Sequence, residues 1–124
     1  MSIGAAVSIL SPDAGKVIAA ASMRAFERGE KCFVISVIRS AAEMRSEGEK
    51  ENVRMNLDLI KARNASPVVQ EADDVPRALI SVARSFGIHT LFVGSPRARL
   101  LGRSVPEKLV RLAPSFEIVV INPR

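Results

Sequence analysis

Apolar and polar positions divide the chain into alternating strand and helix patterns. An apolar stretch runs from Ile3 to Leu10, of which Ala5–Leu10 reads as a first buried strand. Ser11-Pro12-Asp13 follows as a helix start, with a capping Ser, a Pro whose missing N–H costs nothing at that position, and an acid at the positive end of the helix. Ala14, Val17, Ile18, Ala21 and Ala25 then share one helical face, and Gly29 ends the helix. Cys32–Ile38 is apolar without alternation, as in a strand covered on both faces.

Ser40 to Gly48 is polar, a loop or the frayed start of a helix. Val53, Leu57 and Ile60 mark a second helix over Glu49–Arg63. Ser66–Ala72 is a weaker strand. Asp73-Asp74 before Pro76 restarts a helix with Leu79, Val82, Ala83 and Phe86 on one face, closed by Gly87. Thr90–Val93 is the fourth strand and Glu117–Ile121 the fifth. Between them, Ser104 and Glu107 have the spacing of a capping box, and Val105, Leu109 and Leu112 form the inward face of a fourth helix. This alternation predicts one α/β domain over residues 1–124, a parallel sheet with helices on both faces. In such a sheet ligands sit beyond the C-terminal ends of the strands, here at Leu10-Ser11, Val37-Ile38 and Gly94-Ser95.

Composition narrows the function. Apolar residues make up 48% of the 124, enough for a core, and no apolar run is long enough to span a bilayer. The N-terminus lacks the basic flank of a signal peptide. A lone cysteine, Cys32, forbids an internal disulfide and points to a reducing, cytoplasmic-type compartment, with the thiol as a packing residue. The net charge of +5 favours an anionic partner, while the absence of Trp and Tyr argues against a base-stacking nucleic-acid platform. No clustered carboxylates or metal-ligand spacing suggest an enzyme. The sole histidine, His89, stands before the fourth strand, at the wrong end for a site.

The segment from Val93 to Pro114 carries the chemistry. A Gly leaves the strand, Ser95, Arg97, Gly102 and Arg103 follow, and Ser104 opens a helix. Backbone N–H groups at a helix start, the helix dipole and arginine donors together form an anion cradle. An ordinary strand-to-helix connection with a solvated basic face is the alternative.

This segment resembles the C-terminal signature of universal stress proteins. Val93-Gly94-Ser95, Ser104-Val105, Glu107, Arg111-Leu112-Ala113-Pro114 and Ile118-Val119-Val120 fit that template, and Asp73 to Ala83 is similar to the family's third helix. The variant it resembles most is the module inside potassium-sensing histidine kinases. The resemblance implies a five-stranded parallel sheet of order 3-2-1-4-5 and a homodimer through the last strand (Ile118, Val119, Val120). It also implies an ATP-type or other adenine-nucleotide site over Leu10, Ser11, Val37, Gly94, Ser95, Arg97, Gly102, Arg103, Ser104 and Val105.

The departures from the template are specific. Arg97 stands at the second glycine position, Arg103 at the glycine before Ser104, and the loop is shorter. Leu10 is assigned the strand-end place of the base-contacting Asp. Two functions follow: a non-catalytic regulatory sensor of an adenine nucleotide, or a dimerisation or protein-interaction module without nucleotide, working alone or within a parent sensor or transporter.

Overall fold

The computed structural model describes residues 1–38, 46–94 and 105–122, together with the backbone but not the side chains of Val105 and Pro106. Among the described residues nine elements alternate: β1 (Ser2–Ala6), α1 (Ala14–Arg28), β2 (Lys31–Ile38), α2 (Glu47–Ala62), β3 (Ser66–Glu71), α3 (Val75–Ser85), β4 (Ile88–Gly94), α4 (Val105–Leu112) and β5 (Glu117–Ile121). The strands form one parallel sheet of order β3-β2-β1-β4-β5, the architecture expected from the sequence.

Two apolar layers cover the sheet. On one face Val17, Ile18, Ala21 and Ala25 of α1 and Ile60 of α2 pack on Ile3, Ala5, Val34 and Phe92. On the other, Leu79, Val82 and Ala83 of α3 and Leu109 of α4 pack on Ile35, Leu91 and Val93. The central strand must be thin to admit both layers. At Gly4 an added Cβ would lie 3.0 Å from Leu91 Cδ2 and 3.1 Å from Ile88 Cδ1, so glycine is what allows those side chains to close over β1.

Strand one is corrected by the structure. Its ladder runs from Ser2 to Ala6, opposite Lys31–Ile35 of β2, rather than from Ala5 to Leu10. The Val7 N–H still reaches Ile35 O at 3.0 Å, after which the chain turns, and Ile9 N–H is taken by the buried Ser36 hydroxyl at 3.0 Å. Leu10 therefore lies in the turn beyond the strand. Helix α1 starts at Ala14 with Asp13 at the cap position, and the Ser11 hydroxyl accepts from the Asp13 N–H at 3.1 Å instead of capping the helix itself.

Helix α2 also differs from expectation. It opens at Glu47 with a complete capping box, in which Ser46 Oγ accepts from Glu49 N–H and the Glu49 carboxylate accepts from Ser46 N–H. Its inward face runs through buried Asn56 and Ile60, whereas Leu57 is left exposed. The polar Asn56 is buried because it has work inside the fold, described below. Phe86 and Leu112, both expected on inward faces, are exposed as well. Phe86 sits at the C-cap of α3, its ring 4.6 Å from that of Phe33, and Ala113 takes the buried position that ends α4.

Candidate functional site

Reading from β2 through β1 to β4, the connections reverse direction between β1 and β4: α1, which follows β1, covers one face of the sheet, and α4, which follows β4, covers the other. A cavity of about 310 Å³ opens there. β1 and the residues after it supply Ala6, Val7 and Ser8, β2 supplies Val37, and β4 supplies Val93 and Gly94. Helix α3 closes one side with Val75 and Leu79. Asp74 fixes the start of that helix by accepting from the Arg77 N–H at 3.3 Å, which holds Val75 at the pocket wall.

The lining is apolar, with the Ser8 hydroxyl at an exposed edge and no charged side chain among its described residues. The volume matches the lower end of small-ligand sites, about 300 Å³. A slot of this chemistry suits a flat, weakly polar ring.

The turn beside it is held with unusual thoroughness. From α2, Asn56 Nδ2 donates to Ile9 O at 2.8 Å and to Ser11 O at 2.9 Å, and Asn52 Nδ2 donates to Leu10 O at 3.0 Å. Three successive carbonyls thus point away from the pocket toward α2, and the turn's shape is set from outside the sheet.

Of the residues expected from the sequence, Val37 and Gly94 meet at this cavity. Leu10 and Ser11 do not line it; because β1 ends at Ala6, the strand-end place assigned to Leu10 falls to Val7 and Ser8. Ser95, Arg97, Gly102, Arg103 and Ser104 lie outside the described residues. Val105 is the first residue of α4, and its side chain is outside the description. The sequence reading missed Ala6, Val7, Ser8, Val75 and Leu79. Ser8, the first polar residue after the run from Ile3 to Val7, was the signal for the strand's end.

His89 belongs to the opposite end of β4, about 16 Å away at 3.3 Å per residue. Its Nε2 lies 3.2 Å from the Glu30 carboxylate and its Nδ1 2.9 Å from Thr90 Oγ1, while the Thr90 hydroxyl donates to Glu117 at 3.0 Å. Cys32 is buried, and desolvation raises its thiol to a pKa of about 11. No described helix is long and apolar enough to cross a membrane.

Solved structures share this geometry along nearly the whole chain. A universal stress protein from Archaeoglobus fulgidus superposes with a TM-score of 0.73 at 20% identity, covering 98% of this chain and 93% of the other. The fold is that of the universal stress proteins. A universal stress protein from the same organism in complex with dAMP gives 0.71 at 19% identity, covering 98% of both chains. One in complex with cAMP gives 0.76 at 17% identity, covering 100% of this chain and 98% of the other. No protein-family model matches the sequence, and no curated protein matches it.

Proposed function

We propose that this chain is a non-catalytic regulatory domain that binds an adenine nucleotide at the β1–β4 crevice. The observation that carries the reading is the apolar cavity at the strand reversal, where Val37 and Gly94 come together with Ser8, Val75 and Leu79. The base would lie against Val37 and Leu79. The phosphates would extend past Gly94, after which the sequence supplies Arg97, Arg103 and Ser104, residue types whose donors suit an anion. Fold neighbours in complex with dAMP and cAMP support the ligand class. The finer likeness, to the module of potassium-sensing histidine kinases, rests on the Val93–Pro114 segment.

Calorimetric titration with ATP, AMP and cyclic di-AMP at about 0.15 M salt, where exposed charges are screened beyond about 8 Å, tests this directly. Saturable binding of one nucleotide is expected. Ser8→Trp, an exposed change that plugs the cavity mouth, should abolish it without altering the circular dichroism. Arg103→Ala should weaken it more than Lys108→Ala. Silence with all nucleotides, or undiminished binding by Ser8→Trp, would overturn the proposal.

A second reading, a dimerisation or interaction module without nucleotide, is favoured by one specific observation. β5 is an apolar edge strand, Ile118 to Ile121, with Val120 half exposed.

A further inference from the structure

We propose that the cleft between α3 and α4 docks an acidic amphipathic helix of a partner protein. Arg77, Ile80, Ser81, Arg84 and Ser85 of α3 and Leu112 of α4 enclose about 410 Å³ on the outer surface of the second apolar layer. The cleft has an apolar floor and cationic walls. Ile80 is buried at 6% exposure, Leu112 stays 40% exposed beside it, and no carboxylate is among the described lining residues.

The two arginines stand two helical turns apart, about 10 Å along the axis at 1.5 Å per residue. Each is held in place yet able to accept a partner. The Arg84 guanidinium sits 5.9 Å over the Phe116 ring, a contact that helps to place the group and does not itself use its N–H donors. Arg77 contacts Asp74 at 3.2 Å, with 71% and 57% of the two side chains exposed, and an exposed pair of that kind is worth about 0–1 kcal/mol and exchanges readily. Exposed Lys108, one turn before Leu112, extends the positive rim along α4.

These features select the occupant. Carboxylates two turns apart on a helix match the arginine spacing, and apolar side chains between them would cover Ile80 and Leu112. A nucleic-acid backbone would satisfy the arginines but leave that apolar floor against phosphates and sugars. The net charge of +5 favours approach of an acidic partner over a basic one. The proposal is independent of the nucleotide site, although α3 contributes Val75 and Leu79 to the cavity and Arg77 and Arg84 to the cleft.

Fluorescence anisotropy of the full chain with three labelled probes tests it. The probes are a helical peptide of about five turns with a leucine stripe flanked by glutamates, the same peptide with lysines replacing the glutamates, and a DNA duplex. Saturable binding of the glutamate peptide is expected. Arg77→Glu and Arg84→Glu should each weaken it about fivefold or more, since single charge pairs across an interface reach that size. Lys61→Glu, exposed on α2 away from the cleft, should leave affinity within about twofold, because a distant site without shared partners acts independently. Ser81→Glu places a negative charge in the cleft from an exposed position and must reproduce the loss if an arginine variant unfolds. Equal binding of the lysine peptide, equal loss in Lys61→Glu, or preferred binding of DNA with the same arginine dependence would each overturn the proposal.

Discussion

Asn56 shows how a single side chain fixes the shape of a site it does not line. It is 6% exposed, and its one amide nitrogen serves both Ile9 O and Ser11 O. Asn56→Ala deprives two carbonyls of their donor, that of Ile9 at a buried position and that of Ser11 at a part-buried one, and should cost about 2 kcal/mol, against about 1 kcal/mol for Asn52→Ala, whose single bond is part-buried. Urea unfolding of the two variants measures the difference, and equal losses would show that the turn does not depend on this clamp. Nothing in the sequence pattern marks Asn56 as interior, because its partners are backbone carbonyls more than forty residues away. Cys32 was legible, since a free thiol in an apolar strand is buried by default. Its consequence is a pH dependence. The folded-state pKa of about 11 exceeds the ordinary thiol value of 9.0, so the stability Cys32 provides is complete below about pH 9 and is lost as the pH rises through about 11. Over that window the wild type should lose stability more steeply than Cys32→Val, followed by urea midpoints at each pH. Parallel curves would contradict the burial.

At the scale of elements, the caps and breaks were readable where the signal is local. Gly29 and Gly87 adopt φ of 64° and 66° and end α1 and α3 as the sequence predicts, because the left-handed conformation carries no steric cost for a residue without Cβ. The bounds of β5 coincide with the expectation. β1 was misplaced because Ile3 to Leu10 is apolar almost throughout, and only the partners Ile35 and Val93 decide which of those residues join the ladder. That shift of a few residues is what removed Leu10 from the cavity and brought in Ser8. The same limit explains α2. Periodicity alone placed Leu57 inward, whereas the helix is rotated by the need to present Asn52 and Asn56 to the turn. Helix α3 was read correctly as an amphipathic element, but its second duty was invisible in sequence. One flank carries Val75 and Leu79 to the cavity, while another carries Arg77 and Arg84 to the outer cleft.

For the whole molecule, the parallel order β3-β2-β1-β4-β5 leaves β3 and β5 as the two edges of the sheet, and they are unlike. β3 holds Pro67, Gln70 and Glu71, residues that discourage pairing with another chain. β5 reads Glu-Ile-Val-Val-Ile, and apart from Glu117 at its start it has none of these guards. Its two faces differ as well. Val119 and Ile121 pack against the layer beneath α1, whereas Val120 is 50% exposed. An unguarded apolar edge is a template for a second copy, and two β5 strands meeting about a twofold axis would pair antiparallel and extend the sheet across both protomers. The decisive position is Val120 rather than Val119, because a charge at Val119 would disturb the core and confuse unfolding with dissociation. Val120→Lys places like charges near one another across such a pair and should convert a dimer into a monomer of unchanged circular dichroism, followed by light scattering. A wild-type chain that is already monomeric, or a variant of unchanged mass, would refute this assembly.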